Sequence, residues 1–331
     1  MNVIRASVLG FCAGVRRAVD IALREAAAHQ KVYTAGCLIH NPVVLETLKA
    51  RGVEALEEDA DQTSGGTIRQ DARGAVVVIR AHGVTPQAEA RLKERGFRIA
   101  DASCPKVKRS QTLAQDLFQA GRRLFLAGEK RHAEIIGIQG YAPGGIVVEN
   151  VRNALESARL LFAEDPAAET AVIAQTTLAA EDYAAICGAL QTVFPRIIIY
   201  NTICSATRER QDALKALCEK ADAIIIAGGR NSANTRRLVA VAEAAYSAYG
   251  EAAGDTCAAR TSKPVVLVEN AREVPDAFLR GTYAAIGISA GASTPDEVID
   301  EIERTLLSSG GAGGACSNLR RCIGNGVRLL L

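Results

Sequence analysis

NVIRASVLGFC (2–12), FRIADASC (97–104) and RIIIYNTIC (196–204) have one form: an apolar strand pattern that runs out on a cysteine. A helical pattern follows each: AGVRRAVDIALREAA (13–27), PKVKRSQTLAQDLFQAG (105–121) and SATRERQDALKALCEK (205–220). Cys12, Cys104 and Cys204 therefore sit at equivalent points of a unit that repeats about every hundred residues. A unit runs from the helix after one cysteine to the strand before the next. Residues 13–104 and 105–204 form two complete lobes, and 205–307 a third that lacks the strand leading to a cysteine. The unassigned strand of that character is the N-terminal one, within 1–12. We therefore expect it in the sheet of the third lobe, closing a pseudo-threefold ring, with residues 308–331 left as a Gly-rich tail.

Working outward, the runs between these stretches are strands of one kind. KVYTA, GAVVVIR, RRLFLAG, GGIVVE, TAVIAQ, DAIIIAG, PVVLV and YAAIGIS are continuously apolar, as parallel strands covered on both faces are. The class is α/β with parallel sheets. A weaker repeat supports the first. RLFLAGEKRHAEIIGI matches AIIIAGGRNSANTRRL, and VVVIRAHGVTPQAEARL matches AAIGISAGASTPDEVID. In parallel sheets ligands lie beyond the carboxyl ends of the strands, and His82, His132, Asn234 and Ser293 all fall there.

Composition excludes several functions. The 331 residues carry a net charge of +2, so nothing marks a polyanion partner. There is no Trp and aromatics are 4%, which disfavours a nucleic-acid stacking surface. No apolar run is long enough for a membrane span. With no signal-peptide pattern, the nine cysteines read as ligands or buried thiols in a reducing, cytoplasmic setting rather than as disulfides. EEDADQTSGGTIRQDARG (57–74) reads as a surface loop.

Three thiolates at helix N-termini feel a favourable partial charge, and three leave one position of a four-iron cluster open. The bland alternative, an inert buried thiol, suits Cys37, Cys187, Cys218 and Cys257 better, because none has a repeat equivalent. Cys316 and Cys322 lie in the tail. His40, His82 and His132 stand at strand ends in a chain with four histidines, and imidazoles can donate to phosphate oxygens. His29 sits at a helix end. Glu134 could deliver protons. Thr176, Thr177, Ser232, Asn234 and Ser293 serve either as helix caps or as donors to an anion.

The ordered set GFCAGVRRAV, IHNP, RAHGV, DASCP, HAEIIG, AQTTL, NTICSAT with its RQ, GRNSANTRRL and GISAGASTPD resembles the LytB/IspH hydroxymethylbutenyl diphosphate reductases. The likeness runs to about residue 307. It implies one [4Fe-4S] cluster on Cys12, Cys104 and Cys204, with an open iron for the substrate hydroxyl. It implies diphosphate binding by His40, His82, His132, Ser232, Asn234 and Ser293, and an acid, Glu134, beside an active-site Thr176. The implied activity is reductive dehydroxylation of an allylic diphosphate in isoprenoid synthesis, fed by a ferredoxin- or flavodoxin-type donor. Two departures stand out: HAE where the family often has HPE, and Ala233 where some members have serine. Two other readings stay open: another three-cysteine iron–sulfur enzyme, such as quinolinate synthase, which the HAE and AQTTL matches oppose, and a non-catalytic iron–sulfur sensor.

Overall fold

The computed structural model describes residues 1–56, 72–252 and 263–310. Residues 57–71 of the polar loop, Cys257, and the tail beyond 310 with Cys316 and Cys322 lie outside the described residues. The chain opens with β1 (Asn2–Arg5), α1 (Ala13–Ala28), β2 (Val32–Ala35), α2 (Pro42–Ala50), β3 (Val53–Ala55), β4 (Val76–Ile79), α3 (Pro86–Glu94) and β5 (Arg98–Asp101). It continues with α4 (Pro105–Gln119), β6 (Arg123–Ala127), α5 (Ala133–Tyr141), β7 (Ile146–Val148), α6 (Val151–Glu164), β8 (Thr170–Ala174), α7 (Ala180–Val193) and β9 (Ile198–Tyr200). The last part holds α8 (Ser205–Cys218), β10 (Ala223–Ala227), α9 (Ala233–Ala252), β11 (Val265–Val268), α10 (Asp276–Leu279), β12 (Ala285–Ala290) and α11 (Asp296–Gly310).

The strands form three four-stranded sheets, ordered β3-β2-β4-β5, β7-β6-β8-β9 and β11-β10-β12-β1. Every pairing is parallel. The three orders are the same order. In the first two sheets the strand before the next cysteine occupies the outer edge beside β4 or β8. In the third sheet that edge belongs to β1, whose residues pair from Asn2↔Ala285 to Arg5↔Ile288. The first strand of the chain thus completes the last sheet, as the circular repeat requires.

The central strands are buried on both faces because their apolar runs serve two separate cores. In β6, Leu124 and Leu126 pack with Ala114, Leu117 and Ile138, while Phe125 and Ala127 face Leu161, Ile186 and Leu190. The period of two in a strand divides one apolar run between two helix layers. One expectation needs correcting. NVIRASVLG is not a strand throughout: β1 ends at Arg5 and residues 6–11 form a loop. Gly10 there takes φ +74, a left-handed conformation that turns the chain toward Cys12. Sequence reading also passed over β3, whose three residues VEA carry too little pattern to register. Among the described residues no helix is long and apolar enough to cross a membrane.

Candidate active site

Each repeat builds the same corner. Cys12, Cys104 and Cys204 are the N-cap residues of α1, α4 and α8. Each fastens its own N–H to a loop leaving the neighbouring strand: Cys12 to the Ala292 carbonyl at 3.1 Å, Cys104 to Ala81 at 2.9 Å, Cys204 to Thr176 at 3.0 Å. Those loops also carry Ser293, His82 and Thr177. The cysteines and the polar groups are therefore tied together by backbone, and they line one cavity of about 100 Å³.

On the thiol side the space around sulfur is kept clear. Gly14, in the first turn of α1, has no side chain, and a Cβ there would stand 2.6 Å from Cys104 Sγ and 3.9 Å from Cys12 Sγ. The Val15 N–H donates to Cys12 Sγ at 3.4 Å. Burial pushes the Cys104 thiol up, against the pull of the Lys106 and Val107 N–H groups. Among the described residues no three His, Cys, Asp or Glu side chains are arranged to hold a single metal ion. An iron–sulfur cluster takes each thiolate on a different iron, and three soft donors around one cleared space suit that group.

The opposite wall is a row of imidazoles. The His40 and His82 ring centroids are 5.0 Å apart, and His82 and His132 are 5.4 Å apart. Burial above all holds the three below the usual histidine range, His132 at about 4; the Arg80 guanidinium adds to it at each, Arg236 at His40 and His132, and a neighbouring ring at His82 and His132. These rings are neutral near pH 7. His82 Nδ1, Asn41 Nδ2 and Asn234 Nδ2 are buried without a hydrogen-bond partner. Such groups cost free energy unless something in the cavity meets them. Ser293 Oγ donates to the His40 carbonyl at 3.4 Å, and Ser232 Oγ accepts from the Thr235 N–H at 3.3 Å.

Glu134, 1% exposed, lines the same cavity. Thr176 donates to both of its oxygens, N–H to Oε1 at 2.8 Å and Oγ1 to Oε2 at 2.7 Å. Burial outweighs those bonds and raises the carboxyl to about 7. The Glu134 N–H donates to His132 Nδ1 at 3.2 Å, joining acid and imidazole row.

The expected ligands Cys12, Cys104 and Cys204, the acid Glu134 with Thr176, and the expected diphosphate donors all lie on this cavity. The capping alternative survives for Ser232, at the head of α9, and fails for others. The helix α7 starts after Ala179, so Thr176 caps nothing and serves Glu134 instead. Ser293 precedes the start of α11 by three residues, and Asn234 is already inside α9. Cys187 and Cys218 are buried in helices away from the cavity, and Cys37 is exposed. Gly14, Arg210 and Lys106 also line the cavity. Gly14 and Arg210 stand in the quoted motifs, but sequence reading gave none of the three a role.

A family model described as LytB protein matches residues 3–307 of this chain. The chain is 41% identical over 313 residues to the 4-hydroxy-3-methylbut-2-enyl diphosphate reductase of Treponema denticola, covering 93% of this chain and 99% of that one. It is 35% identical to the reductase of the same name from Bordetella pertussis, covering 93% and 87%. A solved structure of (E)-4-hydroxy-3-methyl-but-2-enyl diphosphate reductase, described as the terminal enzyme of the non-mevalonate pathway, superposes with a TM-score of 0.62 at 33% identity. It is covered over its whole length by 93% of this chain. The fold is also that of the Plasmodium falciparum reductase, at TM-score 0.77 and 24% identity.

Proposed function

This chain belongs to the LytB family, and we propose that its cavity performs the reaction its relatives are named for. The substrate is 4-hydroxy-3-methylbut-2-enyl diphosphate, and the products are isopentenyl and dimethylallyl diphosphate. The net change takes two electrons and two protons and releases water. It is the last step of the non-mevalonate route to isoprenoids, run by a cytoplasmic enzyme with a ferredoxin- or flavodoxin-type donor.

The observation that carries this reading is the joining of three unlike sets of groups in one cavity: three thiols, a row of neutral imidazoles, and a buried carboxyl held by a threonine. Cys12, Cys104 and Cys204 would hold one [4Fe-4S] cluster, which supplies electrons singly and an open Lewis-acidic iron for the allylic hydroxyl. His40, His82, His132, Ser232, Asn234 and Ser293 bind the diphosphate. The unpartnered nitrogens of His82 and Asn234 find acceptors in phosphate oxygens. A carboxyl near pKa 7 is protonated in a large share of molecules at neutral pH, and is matched to giving up that proton. When Glu134 is neutral, its O–H can donate to Thr176 Oγ1, which turns the threonine hydroxyl toward the departing oxygen. Low-dielectric walls keep water from competing for the proton. A non-catalytic sensor would have no use for this acid or for the diphosphate wall.

The test is turnover under anaerobic conditions by the iron-loaded chain, with reduced viologen dye as donor. The two five-carbon diphosphates should form at the expense of dye. A loaded chain that consumes no substrate would overturn the proposal.

A further inference from the structure

Among the described residues, the arginine beside the cysteines is the one buried guanidinium. Arg210 belongs to α8, six residues beyond Cys204, and is 2% exposed. Its Nη1 donates to the Ala206 carbonyl at 3.0 Å and its Nη2 to the Gly10 carbonyl at 2.8 Å. Its Nε is buried with no partner. Among the described residues no carboxylate pairs with it, although the exposed salt bridges of the surface are many. A buried charge with no counter-charge costs several kcal/mol in general. Burial weakens the guanidinium's hold on its proton; Cys12 and Cys204, as thiolates, would push back first, then the exposed Glu209. The side chain lines the same cavity as the thiols.

We propose that Arg210 is the counter-charge of the iron–sulfur centre, placed to favour its reduction. The inference rests on the cluster reading above. Three thiolates on a four-iron core with a 2+ charge leave one net negative charge, and one-electron reduction leaves two. A fixed cation on the same cavity as the ligands stabilises the second state more than the first. It also explains why a guanidinium is buried here at all: the partner it lacks in the protein is the charge of the loaded site. Two neutral carbonyls orient it without cancelling it. Arginine suits this place because it stays charged where a lysine in the same surroundings would shed its proton. Arg210 touches no reacting atom in this account; it acts through the ligands Cys12 and Cys204.

The test compares the iron-loaded wild-type, Arg210→Gln and Arg210→Lys chains in redox titrations with dithionite, read by electron paramagnetic resonance. Loss of the charge should make one-electron reduction about tenfold less favourable, a midpoint roughly 59 mV more negative. Arg210→Lys should recover part of that shift below neutral pH, where its ammonium is charged, and lose it as pH rises. An unchanged midpoint in loaded Arg210→Gln would overturn the inference alone. A wild-type chain without any iron–sulfur spectrum would overturn it together with the cluster reading. A purely structural clip between α8 and the Gly10 loop predicts equal losses of melting temperature in apo and loaded protein. The electrostatic role predicts the larger loss in the loaded form, so poor yield of one variant still leaves the melting comparison for the other. Equal losses with Arg210→Lys showing the wild-type midpoint at every pH would also refute the assignment.

Discussion

Glu134 holds the clearest single-residue consequence. Its carboxyl is ordinary in the unfolded chain and raised to about 7 in the folded one. The folded state therefore holds a proton that the unfolded state has released. Stability contributed by this group is intact at acid pH, falls as pH rises through the carboxylate range, and levels off above about 7. The loss is on the order of 3 kcal/mol. The depressed imidazoles contribute in the opposite sense over the same range, so Glu134→Gln should make stability rise more with pH than in wild type, read in urea titrations of the metal-free chain between pH 5 and pH 7.5; a pH dependence equal to wild type would mean the carboxyl is not buried as described. In the loaded enzyme the same variant should keep its absorbance and lose roughly a hundred- to ten-thousandfold in turnover. The imidazoles give a second prediction with the opposite sense. Diphosphate bound beside His40, His82 and His132 must pull their depressed pKa values upward, so binding takes up protons and tightens as pH falls. Calorimetry of inorganic diphosphate in two buffers of different ionisation heat should show that uptake, and His82→Ala should weaken binding about tenfold or more. These side chains were legible in the sequence because cysteine, histidine and a paired HAE are rare and sat at strand ends. Arg210 stood there only as a letter of a quoted motif: an arginine less than two turns into a charged helix looks solvated until the fold shows what lies over it.

The unit of the architecture is the strand–loop–helix corner, repeated so that a cysteine always stands where the helix begins. That much follows from apolar runs followed by a helical period, and the sequence shows it. What a run of letters does not show is the closeness of two helices at a corner. Gly14 leaves room for a sulfur ninety residues further on, at the far end of its own lobe. An alanine at this place would favour α1 by about 1 kcal/mol on propensity alone. Gly14→Ala should therefore fold well yet bind much less iron per chain after reconstitution, because its Cβ meets Cys104 Sγ. Gly188, exposed in α7 with nothing near its missing Cβ, supplies the contrast: Gly188→Ala should gain about 0.5–1 kcal/mol and load normally. Full iron content in Gly14→Ala would show that the corner has slack the distances deny. Thr176 teaches the same lesson from the other side. Its place after a strand reads equally as a cap, and only the position of Glu134 across the cavity decides the matter.

Across the whole molecule, three sheets of one strand order surround one site, and the ring is closed by the first strand and not by the last. The edge strand β1 contributes Val3 to one core of its sheet and Ile4 to the other. A chain starting at Ala6 should lose about 2–4 kcal/mol of stability from those side chains, visible as a lowered melting temperature with the sheets built on β4 and β8 still protected from hydrogen exchange. The circular order was readable from the count of strands against cysteines. The exact hand-over from β1 to loop at Arg5 was not, because Ser7 to Gly10 keep an apolar look while Gly10 turns the backbone. The same closure also sets a clock. On the ribosome β1 emerges about 280 residues ahead of its partner β12, and at common rates of synthesis the interval is roughly a quarter of a minute to a minute. Through that time the first five residues are an unpaired apolar end, and Cys12 lacks the Ala292 carbonyl that fixes it. An iron centre offered to the nascent chain would find two seats of three. On the proposed cluster reading, all three seats exist only once β12 has paired with β1, so a message interrupted before β12 would yield chains that fold in part and hold no complete set.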